Sequence, residues 1–170
     1  WIHEHRQIAA VRHQLQSPGR EVQAEAISLL VTFHDTRGLR RALRHTEPWV
    51  CREAIKGLAQ LSGVEAVRWL VPALTDTDRS VAHTAAECLG RMEAKDLQIL
   101  WALRQCVASE DWLVRYYGAV GLARLSGRSP AVDSLLADLE HDEHSWVRNT
   151  ATQAIRRLTS RSCAGAEVSR

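Results

Sequence analysis

A valine opens the same twelve-residue phrase five times, at Val22, Val50, Val81, Val114 and Val147, and this repetition constrains the fold more than any other feature of the chain. The fourth residue after each valine is small (Ala26, Ala54, Ala85, Gly118, Ala151) and the eighth is aliphatic (Leu30, Leu58, Leu89, Leu122, Ile155). The eleventh is bulky and apolar (Phe33, Leu61, Met92, Leu125, Leu158). On an α-helix these offsets fall in one sector, so each phrase predicts an amphipathic helix burying a single stripe, with the small residue where a neighbouring backbone comes close. The openings lie 28, 31, 33 and 33 residues apart. A unit of this length cannot bury its apolar face alone and must stack on its neighbours. The expected fold is all-α, a right-handed α-α superhelix of about five helix pairs.

The second helix of each pair is read upstream of each valine. Apolar positions recur at Ile8, Val11 and Leu15; Leu39 and Leu43; Val67, Leu70 and Leu74; Leu97, Leu100, Leu103 and Val107; and Val132, Leu135, Leu136 and Leu139. Ser17-Pro18 and Ser129-Pro130 place a hydroxyl cap beside a proline suited to a first helical turn, Pro48 plays that part before Val50, and Asp76 and Asp78 offer capping oxygens before Val81. Gly38, Gly63 and Gly127 are expected to end inner helices in a left-handed conformation. Pro72 falls inside the third outer helix, where it removes a backbone donor and should kink the chain.

Composition narrows the class. The chain of 170 residues is 45% hydrophobic and 25% charged, enough for a continuous core, and contains no apolar run near the roughly 20 residues that span a bilayer. Its net charge of +2 creates no global field favouring nucleic acid or membrane. The four cysteines, Cys51, Cys88, Cys106 and Cys163, show no C-x-x-C pairing and read as reduced structural thiols, which predicts a cytoplasmic protein. The start at Trp1, with apolar Trp1 and Ile2 at a raw edge, predicts further repeats upstream. The solenoid is expected over residues 1–160, with a frayed polar tail over 161–170.

The phrase Asp142-Glu143-His144-Ser145-Trp146-Val147-Arg148 followed by Ala151 and Ile155, and the run Val81 through Ala85-Ala86-Glu87-Cys88-Leu89-Gly90, resemble HEAT repeats of the short, phycobilisome-lyase type. The resemblance covers about Ile2 to Leu158. It implies antiparallel helix pairs, inner helices lining a concave face, a proline-kinked outer helix and an Asp/Arg ladder between neighbouring repeats. Only Asp142 with Arg148 keeps both ladder members in this reading; Asp76 faces Ala82, and Arg115 has Ser109 at the acidic position. The ladder is therefore expected to be degraded, with rigidity resting more on packing than on buried charge networks.

Enzymatic readings find little support. Di-iron HEAT proteins repeat a His-Glu pair early in their inner helices, but the corresponding positions here are Ala24-Glu25, Arg52-Glu53, His83-Thr84, Tyr116-Tyr117 and Asn149-Thr150. His3 and His5, or His141 and His144, read as exposed helix-end histidines. No nucleophile elbow or phosphate loop is present, and Gly118 and Gly121 read as close-packing positions. Trp49, Trp112 and Trp146 precede inner helices and Trp69 and Trp101 lie in outer ones; repeat-related aromatics read as packing between repeats. Arg37, Arg40, Arg41 and Arg44 with His45 form the best nucleic-acid candidate, yet read better as a solvated face or a docking patch for an acidic partner.

The expected working surface is the face opposite the buried stripe, at offsets of two, six and nine from each valine: Arg52, Lys56, His83, Glu87, Tyr116, Asn149, Gln153 and Arg156. Its mixed charge, amide, imidazole and phenol suit a peptide or helix, with Arg52 and Tyr116 as anchors. The sequence thus predicts a non-catalytic scaffold that binds a protein partner within a larger assembly. It calls for no cofactor, metal or membrane, and nucleic acid is disfavoured. The alternatives are a bilin lyase-type accessory factor and a HEAT-like DNA- or RNA-binding protein.

Overall fold

A computed structural model of the chain describes residues 2–92, 97–125 and 129–167, with side chains described from residue 7 to residue 159 within these spans. The elements are α1 (Ile2–Gln14), α2 (Arg20–Thr32), α3 (Thr36–Ala42), α4 (Pro48–Ser62), α5 (Val67–Ala73), α6 (Arg79–Arg91), α7 (Leu97–Val107), α8 (Trp112–Arg124), α9 (Pro130–Leu139) and α10 (Ser145–Glu167). A 3-10 turn at Gly63–Ala66 joins α4 to α5. Each valine phrase starts an even-numbered helix and each upstream segment forms the odd-numbered helix before it. Gly127 and the Trp1 edge lie outside the described residues, as do the side chains of His3, His5 and Cys163. Helix α10 runs to Glu167, through most of the segment expected as a tail.

The chain divides within α6 into two compact units, Trp1–Ala85 and Ala86–Arg170. In the first, α1 packs on α2, α2 on α3 and α4, and α3 on α4. Leu15, Leu30, Leu39, Val50, Ile55, Leu58 and Leu70 form its closed core. In the second, α7 packs on α8, and α10 on both α8 and α9. Its core holds Leu89, Ile99, Leu103, Val114, Leu122, Leu136 and Val147. Fully burying one such aliphatic side chain contributes about 2 kcal/mol, so these stripes hold the helix pairs together.

Five stripe positions depart from expectation. Val22 on α2 and Phe33 at its C-terminal end are 38% and 41% exposed. Leu61, Met92 and Ile155 are half-buried, and beside Ile155 it is Ala154 that is buried. The small positions are buried as the pattern requires. A Cβ on Gly118 would lie 2.8 Å from Val107 Cγ1, and one on Gly90 would meet the Tyr117 carbonyl oxygen at 2.5 Å.

The helix ends follow local chemistry with two corrections. Ser129 caps α9 by accepting from the Val132 N–H, with Pro130 in the first turn, and Pro48 opens α4. Asp78 accepts from the Ser80 N–H at the start of α6. Ser17 does not cap α2: Gly19 occupies that position, and the Ser17 hydroxyl accepts only from the Gly19 N–H. Gly38 does not end an inner helix. It lies buried in the first turn of α3, donating its N–H to Asp35, while the positive φ of 53° falls on His34. Gly63, at φ 50°, ends α4 in the conformation glycine favours. Pro72 sits in the last turn of α5, which closes one residue later.

The expectation of a degraded ladder is corrected: two Asp–Arg pairs tie neighbouring repeats. Arg115 forms a bidentate pair with Asp142, Nε–Oδ2 2.6 Å and Nη2–Oδ1 3.0 Å, and also reaches Glu143. Both side chains of the Arg115–Asp142 pair are at most 10% exposed. Asp142 therefore belongs to the arginine of the preceding repeat and not to Arg148, whose guanidinium donates to the Asp142 and Glu143 carbonyls. A second pair, Arg12 with Asp35, ties α1 to the turn before α3. Matching acid to base inside one repeat missed both, because the pairs span repeats.

Candidate functional site

The residue after four of the five phrase valines anchors the loop before it. Gln23 donates to the Ser17 carbonyl at 2.7 Å, Cys51 Sγ to that of His45 at 3.3 Å, Arg115 to that of Ser109 at 3.0 Å and Arg148 to that of Asp142 at 2.7 Å. Each carbonyl lies five residues before its valine. Ala82 is the one position of the series without a side-chain donor. These bonds fix the entry of α2, α4, α8 and α10 and so the direction of their open faces.

On that face, α4 carries half-exposed Arg52 and exposed Lys56, and Lys56 pairs with Glu53 at 2.7 Å. Helix α6 carries His83 and Glu87, both half-buried, with Glu87 bound to Arg91 at 2.8 Å. Half-buried Tyr116 on α8 stands edge-on to Tyr117, with ring centroids 5.4 Å apart. Asn149, Gln153 and Arg156 on α10 are exposed. The structure brings these residues to open faces of their own helices. Neither of two described clefts is lined by any of the eight.

The larger cleft, of about 670 Å³, lies instead on the outer helices of the first unit. Arg37, Arg40, Arg41 and Arg44 line it from α3 and the turn after it, and Arg68 and Trp69 line it from α5. His45 does not join them. Its Nδ1 accepts from the Glu47 N–H at 3.0 Å, which leaves Nε2–H to donate to the Leu15 carbonyl at 2.9 Å, a structural bond between the first two repeats. The sequence stretch was visible as a charge run. The cleft was not, because part of its wall comes from a helix some thirty residues on.

Aromatic residues only partly follow the packing expectation. Trp112 stacks on His144 at 3.8 Å, Arg20 lies over Trp49 at 5.2 Å, and Arg40 and Arg68 lie 5.1 and 4.8 Å from the Trp69 centroid. Trp101 and Trp146 are 51% and 64% exposed, so the packing reading fails for them. Among the described residues no group of three or more His, Cys, Asp or Glu side chains is placed to hold a metal ion. Burial pushes the Cys106 thiol up to about 12, and burial likewise raises Cys51, so neither is an activated nucleophile. No helix among the described residues is long and apolar enough to cross a membrane.

Comparison with known proteins agrees with this architecture. A chain from the complex of CpcE and CpcF of phycocyanin lyase from Nostoc sp. PCC7120 is similar at a TM-score of 0.64 and 22% identity, over 86% of this chain and 96% of that one. Two engineered proteins are similar at TM-scores of 0.56 and 0.57, each 24% identical. They match over 87% and 89% of this chain and 77% and 47% of theirs. No curated protein matches the chain. The model of HEAT repeats matches residues 8–79 and 67–156, and with helix pairs, buried stripes and small crossing residues already in place, the chain belongs to the HEAT repeats family.

Proposed function

We propose that the chain is a non-catalytic scaffold that docks a protein partner within a larger assembly, through the open inner-helix faces bearing Arg52, Lys56, His83, Glu87, Tyr116, Asn149, Gln153 and Arg156. The observation that carries this reading is the division within each inner helix. In α4, Val50, Ala54 and Leu58 are fully buried while Arg52 and Lys56 stand open. In α10, Val147 and Ala151 are fully buried while Asn149, Gln153 and Arg156 stand open. A polar face held on packed helices loses little conformational freedom on binding, which favours recognition. Its mixed signs suit a protein better than a polyanion.

A second reading, an accessory factor of the bilin lyase type, draws on the match to nearly the whole of a chain from the phycocyanin lyase complex. That neighbour was itself found in a protein complex, which supports a protein partner under either reading.

The test is affinity capture from the native source with the protein and with its Arg52→Ala/Tyr116→Ala/Asn149→Ala variant, both matched for helical circular dichroism. One discrete protein partner is expected, with binding at least about tenfold weaker to the variant, since Arg and Tyr anchors each contribute on the order of 1–2 kcal/mol. Equal capture by both would refute the inner-face site. Recovery of a pigment absorbing with added bilin would favour the second reading, and nucleic acid alone would refute both.

A further inference from the structure

The geometry points to a second docking site, independent of the inner-helix face: the cleft between α3 and α5 takes a short acidic segment of a partner protein, its carboxylates on the arginines and an apolar side chain on the floor. Five guanidiniums converge on one cleft of about 670 Å³, room for a few residues of chain. Of the five, Arg68 is paired with Glu65. Arg37, Arg41 and Arg44 have no ion pair among the described residues, and all three are exposed.

Helix electrostatics accounts for only part of this cluster. Arg40 and Arg41 lie in the last turn of α3, where the helix dipole favours cations. Arg37 lies in the first turn, where it does not, and Arg68 belongs to another helix. Cations gathered from two elements around one concavity repel one another, and an anionic ligand relieves that repulsion. Trp69, half-buried with Arg40 and Arg68 against its ring, holds both guanidiniums beside the opening and leaves the N–H edge of Arg40 to a bidentate carboxylate bond, while Arg68 is held by Glu65.

The remaining lining selects among anions. Leu43, Pro72 and Ala73 supply an apolar floor that a phosphodiester has no use for. Asp76 also lines the cleft, repelling a continuous polyanion while accepting from a backbone N–H or a lysine of a peptide. A nucleic-acid track needs same-sign charge spread along a run, and this site is short and carries an opposing charge.

The experiment selects peptides from a random nine-residue display library on the protein, then measures the recovered peptides by fluorescence anisotropy at low and at physiological salt, beside a twelve-nucleotide single strand. Three variants are compared: Arg40→Glu/Arg44→Glu in the cleft, Arg104→Glu/Arg124→Glu as an equal charge change elsewhere, and the inner-face triple alanine. The expected result is enrichment of Asp and Glu around an apolar residue. Affinity should fall at least about tenfold in the cleft variant, less than about twofold in the charge control, and not at all in the triple variant. The proposal is overturned by recovered peptides without acidic enrichment, by equal losses in the cleft variant and the charge control, or by the oligonucleotide binding more tightly than any peptide. Arg40→Gln, a milder change at an exposed position, should give the same direction of effect, and unchanged binding in that variant as well as in the double would also overturn it.

Discussion

At the scale of single residues, Gln23, Cys51, Arg115 and Arg148 anchor the loop carbonyl five residues before their valine with three different donor chemistries. Only arginine is long enough to anchor its own loop and also reach an acid in the next repeat, as Arg115 does with Asp142 and Glu143. Replacing Arg115 by Met removes those bonds and strands a nearly buried carboxylate. The expected loss in urea unfolding is about 3 kcal/mol. The Lys56–Glu53 pair, open to solvent on both sides, is expected to contribute less than about 0.5 kcal/mol when Lys56 is changed to Ala. Equal losses for the two variants would show that the Arg115 network carries no special weight. The column after each valine could be read from the sequence as a donor series; its inter-repeat partner could not, because the acid lies 27 residues away.

At the scale of elements, helix crossing depends on a few absent side chains. Gly90 of α6 and Gly121 of α8 face each other, and a Cβ on Gly121 would come within 3.1 Å of the Gly90 Cα and 2.3 Å of Leu103 Cδ2. Gly90→Ala gains roughly 1 kcal/mol of helix propensity, but its methyl meets the Tyr117 carbonyl, a backbone atom that cannot swing aside. The net expectation is a destabilisation of about 1–3 kcal/mol in thermal unfolding, and a raised melting temperature would show that the helices can separate freely there. Helix identity was legible throughout because the apolar period repeats five times and averages out local exceptions. Helix ends were less so. Ser17-Pro18 has the composition of a cap, yet Gly19 and Gln23 take over, since tertiary bonds to the Leu15 and Ser17 carbonyls set where α2 begins.

At the scale of the whole molecule, the open inner faces were legible as the complement of the buried stripe, whereas the arginine cleft required knowing that α5 lies beside α3. Among the described residues each compact unit carries a semi-buried Asp–Arg pair, Arg12–Asp35 and Arg115–Asp142, and these pairs bear on how the fold should respond to acid. Burial pushes the Asp142 carboxyl up, but hydrogen bonds from Arg115 and the His144 N–H, with the Arg115 charge, outweigh it and hold the carboxyl below its ordinary 3.8. Asp35 is held low in the same way, burial opposed by Arg12 and the Gly38 N–H. A carboxyl depressed in the folded state stabilises the fold above its unfolded value, and that contribution is lost as pH falls through the folded value. Stability to urea should therefore hold from neutral pH to about pH 5 as far as these pairs are concerned, then fall progressively below pH 4. The Asp35→Asn/Asp142→Asn protein should be less stable at pH 7 yet show a shallower decline below pH 4. Parallel pH profiles for the two proteins would place the acid sensitivity in other carboxylates and remove the two pairs from the account of stability.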